Sequence, residues 1–392
     1  MNELSKSFIP YGRQTISEED INAVTKILRS PYLTQGPTVP AFEEAVANKV
    51  GAKHGVAVNS ATSALHIACL ALGLGPGDQL WTSPITFVAS ANCGRYCGAT
   101  VDFVDIEPKT GLMSIPALRE KLQESERKGK LPKVVVPVHL CGTSCNMEAI
   151  SELADRYGFF VIEDASHAIG GVYNNKPVGS CRYSAITVFS FHPVKIITTG
   201  EGGLATTNNA NLARRMTELR SHGITKDAER FELPAQGPWS YEQQDLGFNY
   251  RMTDLQAGLG LSQLQNLDNI VTERQNLLSH YRNKLENLPL RLLEIPDDVK
   301  SSLHLAVIRL SNPSPKHHRR VFEGMRSSGI GVQLHYSPVH LQPYYRRLGF
   351  KEGTAAQAEA YANNAISLPI YPGLQEKDLQ RVADSLSILL EE

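Results

Sequence analysis

Two stretches of the chain carry residue types able to do covalent chemistry. Val161-Ile-Glu-Asp164 is an apolar run ending in carboxylates, with His167 three residues further on. Val188-Phe-Ser190-Phe-His-Pro-Val-Lys195 sets a lysine among apolar neighbours, and the turn Gly200-Glu-Gly202-Gly203 follows. Desolvation lowers the pKa of such a lysine and frees its lone pair to attack a carbonyl. A carboxylate at the end of a buried strand can hold a pyridine nitrogen protonated and keep the ring an electron sink. A fixed carboxylate and a reactive amine are the two groups that pyridoxal phosphate (PLP) chemistry requires, so PLP is the expected cofactor. Taken singly, each has a plainer reading: Asp164 as a turn or cap residue, Lys195 as a solvated surface lysine.

Other residues could complete such a site. Thr62 and Ser63 fall in the first turn of a predicted helix, where free amides and the helix dipole attract a phosphate; simple capping is the alternative. Ser190 is a third phosphate candidate. Phe87 could stack on the cofactor ring or belong to the core. His167 could hydrogen-bond the ring hydroxyl or support Asp164, or be a satisfied structural histidine. The glycines after Lys195 lack the G-x-G-x-x-G spacing of a dinucleotide loop.

These residues need a rigid frame, and the pattern supplies one. From about residue 55, short apolar runs alternate with amphipathic segments, as in a doubly wound α/β sheet. Gly55–Asn59, Leu80–Ser83, Thr100–Val104, Lys133–Val138 and Phe159–Ile162 read as strands, nearly continuous in Val, Ile and Phe because both faces are covered. Ser60–Leu72 reads as a helix capped by Ser60. Beyond residue 250 the texture changes. Met252 to about Asn287 reads as one long helix, Leu303–Leu310 and Gly331–His335 as strands, and Pro315–Ser328 and Gln375–Leu390 as helices. The expected organisation is an N-terminal segment at 1–37 packing near the site, a large cofactor-binding domain at 38–260 with a mostly parallel central sheet, and a smaller C-terminal α/β domain at 261–392. Ser30–Pro37 reads as a loop.

Composition narrows the function classes. Of 392 residues, 42% are hydrophobic and 20% charged, with a net charge of -1, so no basic footprint for nucleic acid is present. No apolar run reaches membrane-spanning length, and the polar start MNELSKSFIPYGRQ lacks the apolar core of a signal peptide, so a cytoplasmic protein is expected. The six cysteines include two C-x-x-x-C pairs, Cys93/Cys97 and Cys141/Cys145; zinc sites favour C-x2-C, so these read as small buried apolar residues and no metal is expected.

The ordered motifs Leu33-Thr-Gln-Gly36, Asn59-Ser-Ala-Thr-Ser-Ala-Leu65, Ser83-Pro-Ile-Thr-Phe-Val-Ala-Ser-Ala-Asn92, Glu163-Asp164, Phe189-Ser-Phe-His-Pro-Val-Lys195, Gly200-Glu-Gly-Gly203, Arg220-Ser-His-Gly223 and Gly247 to Gln256 resemble the DegT/DnrJ/EryC1 family over nearly the whole chain. These are nucleotide-sugar aminotransferases of the aspartate aminotransferase fold, fold type I of the PLP-dependent enzymes. The resemblance implies that Lys195 binds the cofactor covalently and that Asp164 binds its pyridine nitrogen. It implies that Ser190, Thr62 and Ser63 hold the phosphate, and that Asn249 reaches that phosphate from the second subunit of a homodimer. Most members of the family have glutamine where this chain has His167; Ser166-His-Ala-Ile-Gly170, Asn59-Ser-Ala-Thr62 and Gln333-Leu-His-Tyr336 instead resemble the pseudaminic acid branch. That similarity implies a UDP-linked 4-keto-6-deoxy-N-acetylhexosamine as substrate and L-glutamate as amino donor. It also implies substrate contacts from Tyr11, Pro31, Tyr32, Leu33, Thr34, Ala61, Ser190, Asn249, Gln333, Leu334, His335 and Tyr336.

Three competing readings remain. One is amination of another nucleotide-linked ketosugar (the UDP D-xylo epimer, or a dTDP or GDP sugar). Another is 3-dehydration, which in this family uses histidine at the position of Lys195. The third is a non-catalytic regulatory or metal-binding protein on the same fold, which would be free to lose Lys195 or Asp164.

Overall fold

The computed structural model describes residues 8–311 and 314–391. Its centre is a seven-stranded sheet in the order His54–Val58, Gly203–Thr207, Ile186–Ser190, Phe160–Asp164, Val134–Val136, Gln79–Thr82, Thr100–Phe103. Gly203–Thr207 is antiparallel to both its neighbours, and every other strand runs the same way. The carboxyl ends of those strands therefore share one edge, where ligand-binding groups collect in open α/β sheets.

Strand alternation divides the apolar runs between two cores. Leu80, Val136, Ile162 and Val188 join Leu65 and Met216 on one face, while Trp81, Val135 and Val161 join Leu118 and Ile150 on the other. Helices cover both faces, which is why Val134–Val136 is buried throughout and carries no polar side chain. The helix Ala61–Ala71 is buried on nearly all sides, and its Ala-rich sequence lets it approach the sheet closely.

The C-terminal unit is a three-stranded antiparallel sheet, Leu290–Leu292, Ala306–Leu310 and Ala365–Leu368. The helices Leu267–Leu285, Pro315–Ser327 and Glu376–Glu391 pack around a core that includes Tyr281, Ile308, Met325 and Leu386. Ile9 is part of that core, and its amide donates to the Gly329 carbonyl at 3.0 Å, so the start of the described chain is pinned to this unit.

Three elements depart from the sequence expectations. The first 37 residues contain a helix, Glu18–Leu28, closed by a reciprocal capping box between Ser17 and Asp20. The long helix breaks at Asn266 into Asp254–Gln265 and Leu267–Leu285, because Asn266 takes φ -98° and ψ 6° and serves as cap to both. Gly331–His335 is not a regular strand; its one ladder contact is a bridge between Gln333 and Ser367. No helix among the described residues is long and apolar enough to cross a membrane.

Candidate active site

A cavity of about 740 Å³ opens at the carboxyl edge of the sheet. Asp164, the last residue of its strand, is 5% exposed and lines this cavity. Its carboxylate accepts from the Ser90 hydroxyl at 2.5 Å on one oxygen and from the Ser166 amide at 3.1 Å on the other. Beneath it, on the opposite side of the strand, Glu163 accepts from His139 Nε2 at 2.7 Å, Ser184 at 2.5 Å and Thr187 at 2.8 Å. The Cys145 amide donates to His139 Nδ1 at 3.2 Å. That nitrogen therefore has no proton, and the ring is neutral with its Nε2–H given to Glu163. Burial drives the Glu163 pKa up, but these donors outweigh it and hold the carboxyl below its usual range.

Lys195 sits in the loop joining Ile186–Ser190 to the antiparallel strand. The loop is closed at its base by pairing of Ser190 with Gly203 and by the Phe191 amide on the Gly202 carbonyl at 2.9 Å. Inside it, the Thr199 amide (3.0 Å) and the Thr198 hydroxyl (2.9 Å) both donate to the Phe191 carbonyl. The Lys195 side chain keeps some exposure to the cavity, but protein surrounds its amine. That desolvation lowers its pKa from 10.5 to about 8, with the Asp164 charge pulling the other way. An amine so placed is available as nucleophile and base near neutral pH.

A phosphate cradle lies beside it. Ser60 caps the helix Ala61–Ala71 by accepting from the Ser63 amide at 3.2 Å. The amides of Ala61 and Thr62 come first in the helix and have no intrahelical acceptor, and both residues line the cavity with Ser63 and Ser190. The turn rests directly on the antiparallel strand: a Cβ at Gly203 would stand 2.4 Å from the Ala61 nitrogen and 2.5 Å from the Ser60 carbonyl carbon. Only glycine permits that approach. Anion-binding amides, a desolvated lysine and a buried carboxylate within one cavity fit PLP.

The far wall comes from the C-terminal unit. The Cys141 amide donates to His167 Nδ1 at 3.3 Å, so the His167 proton sits on Nε2 and is donated to the Tyr336 hydroxyl at 3.1 Å. Burial, then the charges of Lys195 and His335, keep the His167 pKa well below 6.5. His335 accepts or donates through Nδ1 to Ser367 at 2.8 Å, and burial with the Lys195 charge pushes it down to about 3. His304, with its ring centre 4.4 Å from that of His167, is likewise held neutral by burial, and its Nδ1 has no hydrogen-bond partner among the described residues. With their pKa values held this low, His167, His304 and His335 are weaker bases than Lys195. Tyr11 packs 5.4 Å from His335, and Phe87, 59% exposed, stands 6.5 Å from Tyr336 at the mouth.

The cavity thus gathers Lys195, Asp164, His167, Thr62, Ser63, Ser190, Ala61, Phe87, Tyr11, His335 and Tyr336. Other expected residues lie outside it. Asn249 is exposed on the neighbouring segment, bridged to Ser221. Pro31, Tyr32, Leu33 and Thr34 are exposed, in a loop anchored by the Thr34–Thr253 bridge and by Asp254, which accepts from the Gly36, Thr38 and Val39 amides. Gln333 is exposed, and Leu334 faces a groove beside Phe322. Sequence reasoning missed Ser90, Thr86 and His304. Thr86 lies in the bend before the helix Ala89–Tyr96 and Ser90 in its first turn, so no helical spacing marks the pair. His304 is hidden in an apolar run.

The family model for DegT/DnrJ/EryC1/StrS aminotransferases matches residues 14–387. The chain belongs to this family. Among its relatives in the family, the spore coat polysaccharide biosynthesis protein SpsC of Bacillus subtilis is 38% identical over 383 residues, 97% of this chain and 96% of that one. The UDP-4-amino-4,6-dideoxy-N-acetyl-beta-L-altrosamine transaminase of Campylobacter jejuni is 38% identical over 384 residues, 98% of both chains. Helicobacter pylori PseC, an aminotransferase involved in the biosynthesis of pseudoaminic acid, superposes with a TM-score of 0.90 at 31% identity, covering 98% of this chain and 100% of that one. Streptococcus pneumoniae Spr1654 in its PLP form superposes at 0.89 with 27% identity, covering 98% of this chain and 99% of that one. Its PMP form superposes at 0.90 with 28% identity and the same coverage. The expected fold class is therefore the observed one, and the chain is a PLP-dependent sugar aminotransferase of this family.

Proposed function

We propose that the enzyme transfers the amino group of L-glutamate to C4 of a UDP-linked 4-keto-6-deoxy-N-acetylhexosamine of L-arabino configuration, forming UDP-4-amino-4,6-dideoxy-N-acetyl-β-L-altrosamine. The observation that carries this reading is the end-to-end match to the Campylobacter jejuni transaminase of that name, supported by the match to PseC. His167 and Tyr336, hydrogen-bonded across the cavity, are the side chains we assign to the sugar side of the site.

When bound, PLP supplies the electron sink and carries the amino group between substrates. The chain's own residues do the rest. Lys195 Nζ would hold the cofactor, and as a free amine it would take the proton from the donor's α-carbon and return one on the sugar side. Asp164 holds a proton at the ring nitrogen. The Ala61 and Thr62 amides with the Ser63 and Ser190 hydroxyls bind the phosphate, and Phe87 covers the ring. Because one site serves both half-reactions, the kinetics are ping-pong. Asn249 and the loop Pro31–Thr34 are exposed and outside this chain's own cavity. We assign Asn249 to the cavity of a second subunit in a homodimer, and the loop to the substrate.

A second reading is amination of a different nucleotide-linked 4-ketosugar, since the chain is equally identical to SpsC, a relative named for spore coat polysaccharide biosynthesis. One experiment separates them. UDP-4-keto-6-deoxy-N-acetyl sugars of L-arabino and D-xylo configuration are each offered with glutamate and PLP, and products are followed by mass spectrometry. Amination of the L-arabino sugar alone supports the first reading; preference for the D-xylo sugar, or inactivity with both, overturns it.

A further inference from the structure

The cavity description leaves one buried group without a function. Ser90 is 0% exposed and is not on the cavity wall, yet its hydroxyl makes one of the shortest polar contacts in the site, 2.5 Å to Asp164 Oδ2. At 2.6 Å from it, 2% exposed and on the cavity wall, stands Thr86 Oγ1. An ionised carboxylate has no proton to give, so the single proton of Ser90 goes to Asp164, and Thr86 must then donate to Ser90. The Phe87 carbonyl, 3.3 Å from Ser90 Oγ, is the more distant competitor for that proton. The row therefore has a direction: Thr86 to Ser90 to Asp164. With the Ser166 amide on the other oxygen at 3.1 Å, each carboxylate oxygen receives one protein donor and keeps lone-pair capacity for a ligand.

Donation to a carboxylate stabilises its charged form, and such bonds are stronger than those between neutral groups. A hydroxyl row polarised toward the carboxylate strengthens the effect in a dry environment. We propose that Ser90, backed by Thr86, is a positioning residue that keeps the proton shared with Asp164 on the cofactor's ring nitrogen. The inference rests on the reading of Asp164 as the partner of that nitrogen. Without the Ser90 hydroxyl, Oδ2 is left in a buried site with no protein donor. Its proton affinity rises, the proton moves from the ring nitrogen onto Asp164, and the ring loses the positive charge that makes it an electron sink. Ser90 touches neither substrate nor the reacting atoms, so it acts through Asp164 alone.

The test uses holoenzyme reconstituted with PLP labelled with nitrogen-15 at the ring nitrogen, whose NMR shift distinguishes the protonated ring from the unprotonated one. Wild-type enzyme should report a protonated ring. Ser90→Ala should move the signal toward the unprotonated position and lower kcat by roughly 10- to 100-fold, the range expected for one hydrogen bond to a charged group, with KM for the sugar little changed. Ser90→Thr keeps the hydroxyl and should restore both; Thr86→Val should fall between. Asp164→Asn is the control for the underlying reading. If Asp164→Asn moves the signal and Ser90→Ala does not, the Ser90 proposal is overturned while the role of Asp164 stands. If Asp164→Asn leaves the signal in place, the reading of Asp164 falls and the proposal with it. Should Ser90→Ala not fold, Thr86→Val, which leaves Ser90 in place, decides: an unmoved signal overturns the proposal.

Discussion

Asp164→Asn should separate two properties that rise and fall together in most active-site variants. In the apoenzyme the Lys195 amine is subject to opposed influences: burial lowers its pKa from 10.5 to about 8, and the Asp164 charge raises it. At pH 7 about a tenth of an amine with pKa near 8 is neutral, against about three in ten thousand of an ordinary lysine, so burial makes the nucleophile on the order of 300-fold more abundant. Removing the Asp164 charge removes the one influence that opposes burial, so the midpoint should fall below that of the wild type. Catalysis should move the other way, because the ring nitrogen loses its anion and the carbon–hydrogen bond breaks slowly. The assay is pulse labelling of apoenzyme with a small aldehyde and cyanoborohydride across a pH series, with Lys195 modification read by mass spectrometry. The expected result is a wild-type midpoint near 8, a lower one in Asp164→Asn, and a transamination rate in the variant holoenzyme reduced by orders of magnitude. A wild-type midpoint near 10 would refute the desolvation argument. A midpoint that rises in Asp164→Asn would refute the sign assigned to the carboxylate.

Four further expectations follow from the geometry. Gly203→Ala places a methyl 2.4 Å from the Ala61 nitrogen; overpacking of this kind costs about 1–3 kcal/mol, and a variant with unchanged PLP affinity and unchanged Tm would contradict the cradle. Tyr336→Phe strands the His167 Nε2–H and should lower kcat/KM for the sugar by about 5- to 10-fold, near 1 kcal/mol; because the His167 pKa lies well below 6.5, His167→Gln should leave the pH–rate profile between mildly acid and neutral pH unchanged in shape, and a lost inflection there would show that His167 titrates. His139→Ala deprives buried Glu163 of a donor and should cost about 1.5–3 kcal/mol in urea unfolding at neutral pH, the range for a hydrogen bond to a charged group. The Glu163 carboxyl is held below its usual range in the folded protein, so its contribution is full above the unfolded carboxylate pKa and is lost as pH falls through the lower folded value. The gap between wild type and His139→Ala should therefore narrow in acid, and a gap that widens there would refute the pairing.

The parts of the site legible in the sequence were those fixed by local pattern. Asp164 could be placed because it follows a run whose Val, Ile and Phe content marks a strand covered on both faces, whereas the strand Ile186–Ser190 was not read and Ser190 was named only as a phosphate candidate. Ser60 could be placed as a cap because it precedes an apolar helix. What escaped depends on tertiary partners. A hydroxyl such as Ser90 has no sequence mark saying that its acceptor is a carboxylate on a strand far along the chain. His304 reads as one polar residue in a core strand until the fold sets it against His167. The helix Glu18–Leu28 was readable and overlooked, since Ser17-Glu-Glu-Asp20 is a capping pattern ahead of Ile21, Val24 and Ile27. The break at Asn266 was harder, because asparagine is only a mild breaker and the apolar periodicity continues across it. Asn249 and Pro31–Thr34 entered through family resemblance alone, and within one chain nothing brings them to the cavity.

The one antiparallel strand of the large sheet sets a constraint on how this sequence can drift. Ser190 and Gly203 face each other as a ladder pair, so the stretch between them is a closed ring whose circumference is fixed by backbone hydrogen bonds. Lys195 rides on that ring, and the Ala61 amide is pressed against its clasp at Gly203. Inserting or deleting a single residue would slip the ladder by one position, turn Ser190 to the opposite face and pull the covalent anchor and the phosphate turn out of register together. The residue count between Ser190 and Gly203 therefore bears on the covalent anchor and on the phosphate turn together.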